Sequence, residues 1–136
     1  MIDWDKFNDR LGCFDEDLIL ELIDMFITDY PQRMIDLRKS VEDKDYHQLD
    51  ENAHTLKTNC ATFGDNDSAR LAYNLELLGK NQVSYNSLLV NSDSWIQLEL
   101  LGNNNPGDDM NSVFAQFVSS SETLVQELEQ YRKERS

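Results

Sequence analysis

The chain has 136 residues, of which 40% are hydrophobic and 28% charged, with a formal net charge of −14. That length and apolar content suit one domain, 1–136, around one core, and exclude a disordered chain. The acidic balance argues against binding to nucleic acid or to an anionic membrane surface. No apolar run is long enough to cross a bilayer, and Met1-Ile2-Asp3-Trp4-Asp5 does not open a signal peptide, so a cytoplasmic location is expected.

Apolar residues recur at steps of three and four, the mark of helices packed on one face. A short first helix is predicted from about Asp3 to Leu11, with Trp4, Phe7 and Leu11 on one side and Gly12 as its stop. Asp15 is a suitable N-cap for a long second helix reaching about Asp43. Its stripe is Ile19, Ile23, Phe26, Tyr30, Met34, Leu37 and Val41. Pro31 interrupts that stripe without shifting its phase, which predicts a kink rather than a break. The third helix is predicted from about Asp45 to Phe63, stopping at Gly64, with Tyr46, Leu49, Ala53, Leu56, Cys60 and Phe63 as a bundle seam. Cys60 is then a buried, reduced thiol. Cys13 lies far from it in a polar connection, with no metal-like spacing.

A fourth helix should begin near Asp67 or Ser68, bury Leu71, Leu75 and Leu78, and stop near Gly79. Residues 81–109 read as an insert, rich in Asn, Ser and Asp and ending in the loop signal Asn103-Asn104-Asn105-Pro106-Gly107. Within it, Asp93 to Gly102 suits a short helix, although Ile96, Leu98 and Leu100 also alternate as a strand would. The last helix is predicted from about Asn111 to Arg132, with Phe114, Phe117, Val118, Leu124, Leu128 and Tyr131 inward. The expected fold is all-α: an antiparallel four-helix bundle with a short N-terminal helix and an insert before the last helix.

Helical residues turn by roughly 100° each, which sets His54 more than a quarter-turn from the core direction of the third helix. Its helical neighbours are Asp50, Glu51, Lys57 and Thr58. A neutral, exposed imidazole is a good nucleophile towards phosphorus near neutral pH. Lys57, one turn on, is placed to contact phosphoryl oxygens, and Asp50 or Glu51 to orient the ring or raise its basicity. Thr58 and Ala61 are short enough for a second protein to approach closely, and Gly64 ends the helix and leaves room. His47, seven residues earlier, reads as an ordinary surface residue, too far from His54 for the i,i+4 spacing of a shared metal. No glycine-rich phosphate loop is present, so no ATP-binding kinase core is expected either. A lone histidine on a polar helix face is more often a plain surface residue, and the surrounding motif has to decide.

That motif, His54-Thr55-Leu56-Lys57 followed by Gly64 ten residues after the histidine, resembles the His-x-Leu-Lys-Gly pattern of histidine-containing phosphotransfer (HPt) domains. Phe26, Pro31 and Leu37 on the preceding helix and the Leu75-Glu76 pair on the next one are similar to the family as well. Thr58 stands where the family often has Gly. Asp65 stands where a small apolar residue is common, which adds a charge near the expected docking surface. The resemblance covers roughly residues 15–80. It implies a phosphorelay intermediate of two-component signalling: His54 accepts a phosphoryl group from a receiver-domain aspartate on its solvent-facing nitrogen and passes it to another receiver. Lys57 holds the phosphoryl oxygens, and Asp50, Glu51, Thr58, Ala61 and Gly64 form the close-approach surface. Exposed apolar residues of the first two helices form a docking patch, with Trp4, Phe7 and Leu11 as candidates beside their default role of capping the bundle. The implied partners are receiver domains of response regulators and hybrid histidine kinases. The resemblance places Mg²⁺ on the receiver, so no metal site and no cofactor are expected in this chain, and a monomer is expected. The alternative is a helical docking module that binds and inhibits a receiver or a histidine kinase without carrying phosphate.

Overall fold

The computed structural model describes residues 1–91 and 106–135, the side chains of 84–91 and 106–109 excepted. These residues form five helices: α1 (Trp4–Leu11), α2 (Glu16–Glu42), α3 (Tyr46–Thr62), α4 (Asn66–Asn91) and α5 (Pro106–Arg135). Four long helices make an all-α bundle in which α2 packs on α3, α3 on α4, α4 on α5 and α5 back on α2. The short α1 lies across one end of it. Among the described residues, no helix is long and apolar enough to cross a membrane.

Local chemistry sets the helix starts. Asp3, Asp15 and Asp45 cap α1, α2 and α3 by accepting from backbone N–H groups of the first turn. Asp65 does the same for α4, accepting from the Ser68 N–H at 3.0 Å and from the Ser68 hydroxyl. Pro31 is exposed and α2 runs through it without a break, so its missing N–H costs one bond on the wet side of the helix. The α2 stripe and the α3 seam pack as the periodicity predicts. Ile23, Leu37, Leu49, Ala53, Leu56 and Cys60 are sealed from solvent, while Tyr30, Met34 and Tyr46 are half-buried. Phe117, Leu124 and Leu128 of α5 complete the core, with Phe114 and Val118 half-buried at its edge. Burial, with the Asp65 charge behind it, pushes the Cys60 thiol far above its ordinary range. Cys60 is buried and Cys13 exposed, and both are free.

Two boundaries correct the sequence reading. Gly79 does not stop α4, which continues to Asn91. The glycine sits where α3 comes closest: a Cβ there would lie 2.9 Å from the Tyr46 carbonyl oxygen and 3.1 Å from the Asp50 nitrogen. Pro106 does not close a loop but opens α5, in the first-turn position where a missing N–H costs nothing. Residues 81–91 and 106–109, assigned to an insert, are therefore helical, and α5 begins before Asn111. The expected helix from Asp93 to Gly102 lies outside the described residues.

The α2–α3 turn carries one strained residue. Lys44 is exposed and has φ of 55°, a left-handed conformation that an L side chain adopts at a cost. Lys44→Gly is expected to stabilise the fold by about 1 kcal/mol, read as a higher urea midpoint at unchanged slope. An equal or lower midpoint would refute that strain.

Candidate functional site

α3 presents His54 outward, its side chain 60% exposed, as the 100° rotation requires. Lys57, one turn later, lies at the boundary of core and solvent and is half-buried. Facing both across the α3–α4 seam is a residue that sequence reasoning did not assign to the site. Glu76 of α4 is only 2% exposed. Its Oε1 accepts from His54 Nδ1 at 3.0 Å and from Lys80 Nζ at 2.9 Å. Its Oε2 lies 2.7 Å from Lys57 Nζ in an ion pair. The Lys57 ammonium also stands 5.1 Å from the centre of the Tyr73 ring, within cation–π range.

Burying a carboxylate is costly unless cations compensate it. Here burial pushes the Glu76 carboxyl up, but the Lys57, Lys80 and His54 donors and the Lys57 charge outweigh it and hold it at about 2. The ionised group only accepts hydrogen bonds, so Nδ1 carries a hydrogen; in the neutral ring that leaves the lone pair on Nε2, and the side chain is exposed.

The other sequence-predicted residues fall into two groups. Asp50 is half-buried with Oδ1 3.9 Å from Lys80 Nζ, and Glu51 is exposed with a carboxylate oxygen 3.5 Å from Gln48 Nε2. Neither is hydrogen-bonded to or ion-paired with the imidazole, whose polar partner is Glu76. The orienting role read for Asp50 or Glu51 falls geometrically to Glu76. Thr58 is exposed beside His54, its hydroxyl donating to the His54 carbonyl oxygen at 3.1 Å, and Ala61 is half-buried. Thr62 continues that ridge by donating to the Thr58 carbonyl oxygen. At its far end a groove of about 250 Å³ opens between α2 and α3, lined by Leu22, Met25, Phe26, Asp29, Arg33, Asn59, Thr62 and Phe63.

Gly64 and Asp65 are not on that surface. Gly64 is buried under α1, with φ of 79° and its carbonyl oxygen accepting from the Asp3 N–H at 2.9 Å. Asp65 is sealed from solvent as the cap of α4, so the docking-surface charge read for it is absent. Phe7 and Leu11 are buried and cap the bundle. Trp4 is 42% exposed and stacks on Tyr131, at the rim of a concavity of about 580 Å³ between α1 and α5 that shares no residue with the His54 cluster. His47 is an exposed surface residue, as read.

One signal for Glu76 was available. Ala72, Leu75, Glu76 and Gly79 are spaced by three, one and three along α4, which places an acid on the buried stripe, where it has to find cations.

A family model described as Hpt domain matches residues 21–134. No curated protein and no solved structure matches the chain.

Proposed function

The chain belongs to the Hpt domain family, and from that premise we propose that it is a phosphorelay intermediate with His54 as the phosphoryl acceptor. Hpt domains interact with receiver domains in two-component signalling and carry phosphate rather than act as kinases. The observation that carries the finer reading is the 3.0 Å contact between His54 Nδ1 and the buried Glu76 carboxylate.

The chemistry follows from it. The Nε2 lone pair attacks phosphorus in line, forming the N–P bond as the P–O bond to the receiver's aspartate breaks and the carboxylate leaves. The ring then carries positive charge with its hydrogen still on Nδ1, beside Glu76. A charged ring is also a good leaving group, so the same contact supports the onward step to the aspartate of a second receiver. Lys57 supplies a cation for the phosphoryl oxygens. Thr58, Ala61 and the groove beside Met25 offer a surface of short and apolar side chains against which a receiver can close. The proposal assigns Mg²⁺ to the receiver and no cofactor to this chain, which acts as a monomer in the cytoplasm.

The test is intact mass after mixing with receivers charged by acetyl phosphate in the presence of Mg²⁺. Wild type is expected to gain one acid-labile phosphoryl group, and His54→Gln none. Binding to receivers without any adduct on wild type would replace the carrier by the docking inhibitor.

A further inference from the structure

Glu76 offers one carboxylate to three donors, and the donors are not equivalent. Lys57 Nζ is 2.7 Å from Oε2, while His54 and Lys80 both meet Oε1. The Lys57 charge is thus committed to Glu76 before any phosphoryl group arrives. To serve a phosphoryl group on His54, Lys57 has to leave Oε2. Its departure strips the nearest counter-charge from a carboxylate that is 2% exposed, which is unfavourable unless another cation stays.

Lys80 is that cation. Its Nζ lies 2.9 Å from Glu76 Oε1, with Asp50 Oδ1 3.9 Å away on α3 as a second anchor. Lys80 and Glu76 sit at i,i+4 on α4, so their separation does not depend on what docks against α3. Lys57 is on α3 with His54, and the Tyr73 ring 5.1 Å from its ammonium provides a face over which the charge can turn. The hydrogen bond to Glu76 raises the Lys80 pKa above the ordinary lysine value, so it stays charged at neutral pH.

We propose that Lys80 is a positioning residue, keeping the Glu76 carboxylate neutralised while Lys57 swings from Oε2 to the phosphoryl oxygens on His54. The inference rests on His54 as the acceptor. In the step itself the N–P bond forms at Nε2, the P–O bond to the receiver's aspartate breaks, and the aspartate leaves as carboxylate. No proton leaves the ring: Nδ1–H stays on Glu76 Oε1, Lys57 moves with its three hydrogens, and Lys80 stays in place.

The experiment measures single-turnover transfer from a receiver charged by acetyl phosphate to wild type, Lys80→Met, Lys80→Arg, Lys57→Met and the Lys57→Met/Lys80→Met double variant. Lys80→Met is expected to slow transfer about tenfold. Lys80→Arg should restore the rate, and Lys80→Met should add nothing in the Lys57→Met background, because Lys80 acts through Lys57. In lysine-labelled wild type, phosphorylation should shift the Lys57 side-chain NMR signal and leave that of Lys80 in place. Wild-type speed in Lys80→Met, the same slowing with and without Lys57, or an unmoved Lys57 signal would each overturn the inference while His54 remained the carrier. No adduct on wild type would overturn the carrier reading, and this inference with it.

Discussion

Glu76→Gln is expected to slow phosphoryl transfer to His54 on the order of 10- to 100-fold without displacing the ring. The amide oxygen of glutamine still accepts from Nδ1–H, so the tautomer and the free Nε2 lone pair are kept. What disappears is the negative charge facing a ring that becomes positive as the N–P bond forms. The amide also leaves Lys57 and Lys80 without the carboxylate that collects them. Glu76→Ala removes orientation as well and should be slower still. Equal rates for wild type and Glu76→Gln would mean that the carboxylate only orients the ring. The same variant isolates a pH effect on stability. A carboxyl that is more acidic folded than unfolded stabilises the fold above its unfolded value, and that contribution is lost as pH falls towards the folded value. For Glu76 the window runs from about pH 4.5 down to about 2. A shift of that size amounts to on the order of 3 kcal/mol as an upper bound. Other carboxylates titrate in the same range, so the quantity to measure is the difference in urea midpoint between wild type and Glu76→Gln. That difference should shrink as pH falls through the window. A constant difference would show that the Glu76 charge adds nothing to stability.

His54 and Lys57 were legible because one helix carries both, and the 100° step alone assigns one to solvent and the other to the boundary. The fold was legible for a similar reason: the α2 stripe and the α3 seam are each periodic over several turns, and Asp15 and Asp45 announce the helix starts. Glu76 was not legible as the partner of the ring, because its place depends on the register between two helices. Gly79 sits where the two helices come closest: a Cβ there would lie 2.9 Å from the Tyr46 carbonyl oxygen, so only a residue without a side chain allows that approach. Read along the chain, the same glycine looks like a helix stop, and a helix ending there leaves Lys80 outside the site. A single ambiguity, stop or close approach, thus hid both Glu76 as orienting group and Lys80. Asp65 shows the opposite case. Asp65 and Ser68 have the spacing of a cap, but Asp67 and Ser68 compete as starts, and only the burial of Asp65 decides between them.

Gly64→Ala is expected to destabilise the protein by about 3 kcal/mol, because two independent costs add. The first is conformational: at φ of 79° an alanine sits in the left-handed region, at roughly 1–2 kcal/mol. The second is steric. The new Cβ would lie 2.8 Å from the Asp3 carbonyl oxygen and 2.8 Å from the Phe7 nitrogen. Both neighbours are backbone, so no flexible side chain can swing away, and relief requires α1 to lift. Lifting α1 breaks the Asp3 N–H bond to the Gly64 carbonyl oxygen and uncovers Phe7 and Leu11, which are otherwise buried. The glycine ten residues after His54 then serves to hold α1 rather than to clear a path for a partner. The two roles separate in one experiment. If Gly64 holds α1, Gly64→Ala lowers the urea midpoint and speeds hydrogen exchange of the α1 amides, while the folded fraction binds a receiver as wild type does. If Gly64 clears a docking path, midpoint and exchange stay put and receiver affinity falls. The burial of Gly64 beneath α1 favours the first result.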